Sequence, residues 1–401
     1  MKSAPTHSTA SSRERIVVVC TQYIGDTLLA IPFLRNLRQA HPDAVIDVCA
    51  QGGARAVLAH CPYVDDRITW SRPPRESRGG LLGAFAALRA QAGWMRARAY
   101  TRAYLLKPSM SAALLAWLAG IPVRIGFSGE SSPFLTTTVR RRLGRHQVET
   151  YLDLMRAEEA AVDDGRNENW IPAESAARIR PILDQFPRER PRVFLAIQST
   201  DVLKHWPADR WCRLTRWLVK DRGCEVFLCG GAADLAAHDA LVDAMGADVA
   251  RHLHDLSELV PLADAAALMQ TMHLCVGVDT GLVHLAASVG VPTVVLAGPT
   301  DPNRWAPWKT PSVTLRSSRV VPSLWERARA MLGHTSHLEW PLGRADAADI
   351  PFEDVEAAVK TILPCQPFRS LDLTSGTYRY EVQCDRIADP RSPQPIDVVA
   401  E

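Results

Sequence analysis

Short apolar runs alternate along the chain with longer amphipathic stretches. The apolar runs have the length of buried strands, and they lie at residues 16–20, 45–49, 103–106, 193–197, 225–229, 274–278 and 293–297. The amphipathic stretches have the 3.6-residue period of helices, and they lie at residues 27–40, 81–98, 110–119, 207–222, 233–245 and 282–289. Strands that alternate with helices indicate an α/β protein, with parallel sheets covered by helices on both faces.

The overall composition is that of a soluble globular protein. Hydrophobic residues make up 47% of the 401 residues and charged residues 22%, and the length is sufficient for two domains with separate cores. No apolar run approaches the roughly 20 residues that a membrane span needs. Residues 1–12 are polar and lack the apolar core of a secretory signal, so we expect a cytoplasmic protein.

Positive charge is concentrated in the first part of the chain. The net charge is only +2, but residues 1–150 contain 20 Lys and Arg against 9 Asp and Glu, and the remainder contains 26 against 35. This distribution predicts an anionic partner for the N-terminal part, either a phosphorylated acceptor, a membrane surface or nucleic acid. No nucleic-acid motif accompanies the charge, so we do not expect nucleic acid. A bias toward arginine in the coding sequence is the alternative explanation.

The most informative stretch is Gly277–Ala287. An apolar strand delivers Asp279, Thr280 and Gly281 to the start of a helix. The first N–H groups of a helix are unpaired and lie at the positive end of its dipole, so an anion can bind there. His284 lies one turn into the helix, on the side that reaches back over its start. The stretch predicts a phosphate-binding turn that presents an imidazole, with Asp279 or Thr280 as the N-cap.

Three sequence blocks occur in a characteristic order. They are Ile24–Val48, Lys204-His205-Trp206-Pro207, and Asp279–Ala287 with its continuation to Gly298-Pro299-Thr300. This ordered set resembles the signature of the ADP-heptose:lipopolysaccharide heptosyltransferases, glycosyltransferase family 9, over residues 15–363. The resemblance implies an α/β protein with the GT-B glycosyltransferase fold, in which two Rossmann-like domains face a central cleft.

The proline-rich and charged stretch between Ile171 and Pro191 interrupts the alternation and is the expected connection between domains. With the family resemblance, we predict six segments. They are a disordered tail at 1–13, an acceptor-binding Rossmann-like domain at 14–175, a linker at 176–191, a nucleotide-sugar-binding Rossmann-like domain at 192–350, a closing helix at 351–363 that returns toward the N-terminal domain, and a tail of unknown role at 364–401.

The loop after the first predicted strand leads to Gly25-Asp26 at the start of a helix. A carboxylate at this position is often a simple N-cap. The resemblance instead aligns Asp26 with the general base proposed for the family, which takes the proton of the acceptor hydroxyl as the new bond forms. Gln22 belongs to the same loop and is expected to contact the acceptor.

Lys204 follows the strand predicted at 193–197 and a polar loop that contains Ser199 and Thr200. Most lysines are solvated at the surface. The resemblance implies that Lys204 binds the donor diphosphate, where its charge neutralises the leaving group and the two hydroxyls add hydrogen bonds.

Four residues of the later motif complete the predicted donor site: Asp279, Thr280, Gly281 and His284. Since a carboxylate does not attract a phosphate, Asp279 is assigned to sugar hydroxyls or to capping. His284 is expected to donate to a phosphate oxygen, and a hydrogen bond within the helix packing is its alternative. Gly230 and Asp234 follow the strand at 225–229 and are predicted to lie near the nucleotide, with Asp234 on the ribose.

The strongest basic cluster of the N-terminal half is Arg140-Arg141-Arg142, and Arg96, Arg98 and Arg102 precede it. A charge run is usually a solvated face. Given the resemblance, we expect these arginines to bind an anionic glycolipid acceptor, the inner core of lipopolysaccharide. That acceptor is made at the cytoplasmic leaflet of the inner membrane, so peripheral contact with this membrane is expected.

We predict neither a metal nor another cofactor. The sequence has no Asp-x-Asp dyad in a suitable loop and no histidines at ligand spacing. Lysine and the helix dipole are expected to replace a cation at the diphosphate, and the reaction is expected to be a single inverting displacement.

Other interpretations stay open. Residues 320–347 depart from the family pattern, so another nucleotide-sugar or a different acceptor is an alternative. A non-catalytic sugar-nucleotide-binding homologue would keep the fold without needing Asp26. A nicotinamide-dependent oxidoreductase is disfavoured, because its Gly-x-Gly-x-x-Gly turn is replaced here by Tyr23-Ile24-Gly25-Asp26.

Overall fold

A computed structural model describes most of the chain. The described residues are 13–20, 23–50, 52–69, 80–142, 144–162, 165–317, 320–321 and 344–363. The chain divides into two compact units, Met1–Arg166 and Asn167–Glu401. The predicted C-terminal tail at 364–401 lies outside the described residues, as does the predicted N-terminal tail except for Arg13.

The first unit contains a six-stranded parallel sheet. Its strands are β1 Arg15–Val19, β2 Val45–Cys49, β3 Asp66–Ile68, β4 Arg102–Leu105, β5 Val123–Phe127 and β6 Thr137–Val139, in the order β3-β2-β1-β4-β5-β6. Its helices are α1 Ile24–Leu28, α2 Ile31–Ala40, α3 Gly52–Val57, α4 Gly80–Ala97, α5 Met110–Leu118 and α6 Gln147–Arg156, with a 3₁₀ turn at Ser132–Phe134.

The second unit contains another six-stranded parallel sheet. Its strands are β7 Arg192–Ala196, β8 Glu225–Leu228, β9 Leu253–Asp255, β10 Leu274–Val278, β11 Thr293–Ala297 and β12 Ser312–Arg316, in the order β12-β11-β10-β7-β8-β9. Its helices are α7 Ala173–Leu183, α8 Ala208–Lys220, α9 Leu235–Asp243, α10 Ala247–Ala250, α11 Ala265–Met269, α12 Gly281–Ser288, α13 Pro302–Trp305 and α14 Phe352–Ile362. It also has 3₁₀ turns at Val202–Lys204 and Ala347–Asp349, and an antiparallel pair β13 Val320–Val321 and β14 Arg344–Ala345.

Both sheets have the same doubly wound order. In each unit the first strand lies at the centre, with the second and third strands on one side and the fourth to sixth on the other. This is the Rossmann order, and it places a switch point between β1 and β4 in one sheet and between β7 and β10 in the other. Ligands of such sheets bind outside the carboxyl ends of the strands at the switch point. The predicted α/β class with two Rossmann-like domains is confirmed.

The seven strands predicted from apolar runs are all present, and their ends agree to within one residue. The central strands are buried on both faces and therefore contain little but apolar residues. The sequence did not predict β3, β5, β6, β9 or β12. Four of these strands, β3, β6, β9 and β12, form the edges of the sheets, where exposed polar residues interrupt the apolar pattern.

The predicted helices also occur, with one correction. The helix expected at 27–40 is divided into α1 and α2, because α2 restarts with Pro32 in its first turn. The segment predicted as a linker at 176–191 begins inside α7, which contains Pro181. The late helix α14 packs into the core of the second unit, where Phe352, Val355 and Val359 are buried together with Trp206. Among the described residues, no helix combines the length and the apolar character that crossing a membrane requires.

Candidate functional site

Lys204 lies beyond the carboxyl end of β7, in the 3₁₀ turn Val202–Lys204. Asp201 caps this turn, since its carboxylate accepts the Leu203 N–H at 3.1 Å. Gly298, which follows β11, packs directly against the turn: a Cβ added there would lie 2.5 Å from the Leu203 carbonyl oxygen and 3.1 Å from the Lys204 Cα. The absence of a side chain at Gly298 is therefore what allows the backbone of Lys204 to lie so close to this strand end.

Asp279 lies beyond the carboxyl end of β10, the neighbour of β7, and its side chain is only 9% exposed. Lys204 Nζ donates to Asp279 Oδ2 at 2.8 Å and to the Asp279 carbonyl oxygen at 3.2 Å. Thr300 Oγ1 donates to the same Oδ2 at 2.6 Å. The structure thus brings together residues predicted separately as Lys204 and Asp279, and it adds Thr300, to which sequence analysis gave no role of its own.

The ionised form of Asp279 is strongly favoured. Burial alone raises the pKa of this carboxyl, but the His284 imidazole and the Lys204 ammonium outweigh burial and hold the pKa well below its usual range. The other carboxylate oxygen, Oδ1, lies 3.6 Å from His284 Nε2. Asp279 is consequently an internal counter-ion of Lys204.

The start of α12 is open to a ligand. Thr280 rather than Asp279 occupies the N-cap position, and no side chain among the described residues caps the first turn, which begins at Gly281. The N–H groups at such a helix start attract anions. Gly277 in β10 lets α12 pack closely on the sheet, because a Cβ there would lie 2.8 Å from Val283 Cγ2 of α12 and 2.6 Å from the Ala196 Cβ of β7.

His284 is 5% exposed and lies in α12. Its Nδ1 is buried and has no hydrogen-bond partner within the part of the chain that the structure describes. The alternative prediction, a hydrogen bond within the helix packing, therefore does not account for Nδ1, whereas Nε2 faces Asp279 Oδ1. A buried polar atom without a partner is costly in free energy, so a ligand or a water molecule is the expected partner of His284.

The loop after β7 contains two polar residues, one held by hydrogen bonds within the loop and one exposed to solvent. The Ser199 hydroxyl accepts the Asp201 N–H at 3.4 Å, and the Ser199 carbonyl accepts from His205 Nε2 at 2.7 Å. Ser199 is thus held by its own loop, whereas Thr200 is exposed. Both lie on the same edge of the sheet as Lys204.

Gly230 and Asp234 form a closed turn after β8. Asp234 Oδ2 accepts the Gly231 N–H at 2.7 Å, and a Cβ at Gly230 would lie 2.5 Å from this oxygen. One carboxylate oxygen of Asp234 is therefore committed to the turn. The prediction that Asp234 binds a ribose depends on its other oxygen.

At the switch point of the first sheet, Asp26 lies in the first turn of α1, after β1. Its position is the third residue of the helix, and Tyr23 occupies the N-cap, so the interpretation of Asp26 as an N-cap is wrong. The carboxylate is partly exposed at the positive end of the helix dipole. Gln22 lies outside the described residues.

Two residues near the start of α1, which carries Asp26, were missed by the sequence analysis: its N-cap Tyr23, and Lys107, which contacts the Tyr23 ring. Lys107 follows β4, which pairs with β1, and its Nζ lies 5.2 Å from the centre of the Tyr23 ring. Tyr23 is 51% exposed. The available signal was a lysine two residues after an apolar strand, but it became meaningful only once β4 was known to lie next to β1.

The predicted basic cluster divides into two groups. Arg140 and Arg142 are exposed and Arg141 is partly buried, just after the edge strand β6. By contrast, Arg98 pairs with Asp47 and Asp66, and Arg102 pairs with Glu14 and Glu158. The expectation that Arg98 and Arg102 bind an acceptor is therefore wrong, because internal carboxylates neutralise both.

Comparison with known proteins identifies the family. The sequence model of glycosyltransferase family 9 (heptosyltransferase) matches residues 89–327. Lipopolysaccharide heptosyltransferase 2 of Escherichia coli strain K12 is 29% identical over 305 residues, which cover 72% of this chain and 84% of that protein.

Solved structures agree on the fold. A family 9 glycosyl transferase from Veillonella parvula DSM 2008 has a TM-score of 0.70 at 24% identity, over 87% of this chain and 97% of that chain. The E. coli ADP-heptose lps heptosyltransferase II has a TM-score of 0.64 at 23% identity, over 81% of this chain and 99% of that chain. These similarities confirm the GT-B fold class. The chain belongs to glycosyltransferase family 9 and is a glycosyltransferase.

Proposed function

We propose that this enzyme moves a heptose from ADP-heptose to a hydroxyl of an anionic glycan, the inner core of lipopolysaccharide. The name of the E. coli relative, lipopolysaccharide heptosyltransferase 2, supports the sugar and the class of acceptor. ADP-heptose appears in the name of a structural relative. The proposal transfers both to this chain.

The ion pair between Lys204 and Asp279 carries the proposal. A lysine ammonium has three N–H donors, and two of them go to Asp279. The third points to no acceptor among the described residues and is available for a diphosphate oxygen. Asp279 fixes the ammonium in place before a ligand arrives, and the open start of α12 supplies further N–H donors. Together they form a preorganised site for a leaving diphosphate.

The chemistry is a single displacement. The acceptor oxygen forms a bond to the anomeric carbon of the heptose as the bond from this carbon to the diphosphate oxygen breaks. Asp26 takes the acceptor proton, and ADP leaves with its new charge stabilised by Lys204 and the α12 dipole. Attack opposite the leaving group inverts the anomeric configuration. In this scheme the lysine and the helix replace a metal, and no cofactor takes part.

The acceptor is assigned to the first unit. Exposed Arg140 and Arg142, with Arg141, offer the guanidinium groups that bind phosphates and carboxylates of an inner core. A cytoplasmic enzyme that works on a glycolipid also fits peripheral contact with the inner membrane.

A transfer assay tests the proposal. Purified protein is incubated with ADP-heptose and a lipopolysaccharide inner-core acceptor in the presence of EDTA, and the product is analysed by mass spectrometry and NMR. We expect addition of one heptose with inverted configuration and stoichiometric release of ADP. Transfer only from another nucleotide-sugar would remove the heptose assignment. Donor binding without transfer to any glycan acceptor would favour the non-catalytic homologue.

A further inference from the structure

The outer surface of α5 in the first unit is unusually apolar. The sequence of α5, MSAALLAWL, contains no charged residue, although the helix lies at the surface. Met110 is 42% exposed and Trp117 is 51% exposed. These two residues are seven positions apart and so share one face of the helix. A helix that is apolar all round is normally covered, so this face is expected to meet an apolar partner.

Helix α4 packs beside α5 and extends the same surface. Trp94 is 45% exposed, and the exposed positions near it include the small residues Gly93 and Ala97 together with Arg96. Arg96 donates to the Leu118 carbonyl and thereby joins the ends of the two helices. We call Trp94, Met110 and Trp117, with the small residues between them, the tryptophan face.

The rim of this face is cationic. Between residues 77 and 148 the sequence has eleven Lys and Arg and a single acidic residue, Glu130. Of the eleven, Arg98 and Arg102 are among those paired with carboxylates from other parts of the first unit, and the rest supply the excess of positive charge. Arg98 lies 4.3 Å over the Trp94 ring. At the other side, the ring centres of Trp117 and Phe134 are 5.8 Å apart, and Arg124 donates a hydrogen bond to the Phe134 carbonyl oxygen. Exposed tryptophans next to arginines on an apolar surface are typical of contact with an anionic bilayer interface.

We propose that the tryptophan face docks the first unit onto an anionic lipid bilayer. The tryptophan rings and Met110 enter the boundary between headgroups and acyl chains, and the surrounding arginines bind lipid phosphates. A second copy of the chain would cover the apolar area, but the excess of like charge around the face would oppose such a dimer. The proposal requires neither the donor assignment nor the acceptor assignment, so it stands or fails separately from the transferase function.

The test is sedimentation of the full chain with vesicles of phosphatidylcholine alone or with phosphatidylglycerol. We expect binding to the anionic vesicles that weakens with salt. The double change Trp94→Ala and Trp117→Ala should weaken partitioning roughly ten-fold or more, and Arg89→Gln roughly five-fold. Leu259→Ala and Arg180→Gln, at exposed positions of the second unit, are matched controls and should bind like the wild type.

A third variant separates docking from folding. Met110→Glu places a carboxylate in the first turn of α5, where the helix dipole favours it, so the fold should be kept. The same carboxylate should abolish vesicle binding, with circular dichroism and ADP affinity unchanged. The proposal is overturned if the wild type ignores anionic vesicles, if Met110→Glu binds them normally, or if the face instead mediates a dimer that Met110→Glu dissociates.

Discussion

The two sheets share one strand order, but the groups at their switch points differ in how far they are buried. Beyond β7 and β10, Lys204 and Asp279 form an ion pair whose side chains are 18% and 9% exposed, and Thr300 adds a hydrogen bond. Beyond β1 and β4, Tyr23 is half exposed and Lys107 lies against its ring. The same topology therefore supports one preorganised charge site and one open site.

This difference agrees with a division of labour. A leaving diphosphate brings fixed negative charge, and a buried lysine with its own counter-ion meets it without reorganisation. A general base must instead reach a hydroxyl of a varied glycan, for which a partly exposed carboxylate such as Asp26 is suited. Four predictions test the contrast, from the largest effect to the smallest.

The change Asp26→Asn should prevent sugar transfer without affecting the ion pair between Lys204 and Asp279. The amide cannot take a proton, so kcat should fall by roughly 10²–10⁴-fold. The Kd for ADP should stay unchanged, because the Lys204 site is intact. Parallel turnover and calorimetry measurements check this pair of results, and near-normal turnover would remove Asp26 from the mechanism.

The change Lys204→Met should destabilise the second unit as well as prevent ADP binding. It leaves the Asp279 carboxylate buried without its main partner, which costs about 3–5 kcal/mol of unfolding free energy. Adding Asp279→Asn should restore most of this stability but not the binding. The matched change Lys107→Met at the open site should cost only about 0.5–1 kcal/mol. Urea denaturation measures the unfolding free energy of both variants. Equal losses of unfolding free energy in Lys204→Met and Lys107→Met would contradict the difference between the two sites.

The change Gly298→Ala should displace the turn that carries Lys204. The added Cβ would collide with the Leu203 carbonyl at 2.5 Å, so the ammonium must move. We expect ADP affinity to fall by roughly ten-fold, since misplaced charge is costly in a preorganised site. Gly93→Ala in α4 meets nothing within 4 Å and serves as the control, with a stability gain of up to about 1 kcal/mol. An unchanged Kd for ADP in Gly298→Ala would show that the added methyl group does not move the Lys204 ammonium enough to affect binding.

Acid should weaken the charge site. The pKa of Asp279 in the folded chain lies below its unfolded value of about 3.9, so its contribution to stability is complete above that pH and is lost as the pH falls toward the folded pKa. Asp279→Asn should therefore lose less unfolding free energy than the wild type between about pH 5 and about pH 3. Denaturation curves at the two pH values give the unfolding free energy of each protein. An equal loss of unfolding free energy in the wild type and in Asp279→Asn would argue against an ionised Asp279.

The central strands could be predicted from the sequence, whereas the edges could not. β7, β10 and β11 are buried on both faces, so continuous apolar runs identify them. Edge strands such as β3 and β6 mix polar and apolar residues within three positions, which periodicity does not distinguish from a loop. The prolines in and around α7 hid a helix, because proline usually ends one.

The candidate site was also predictable only where a local sequence pattern identified its residues. Motifs identified Lys204 and Asp279 separately, but their pairing joins residues 75 positions apart and depends on β7 lying beside β10. No local pattern contains that adjacency. Lys107 was missed for the same reason, since its significance comes from the pairing of β4 with β1.

Titration calorimetry against ADP, UDP and GDP in EDTA tests the central claim most directly. We predict selective binding of ADP by the wild type and by Lys107→Met. Binding should be lost in the double variant Lys204→Met and Asp279→Asn, whose fold is kept. Absence of ADP binding, or equal ADP affinity in the double variant, would contradict a donor diphosphate site at Lys204.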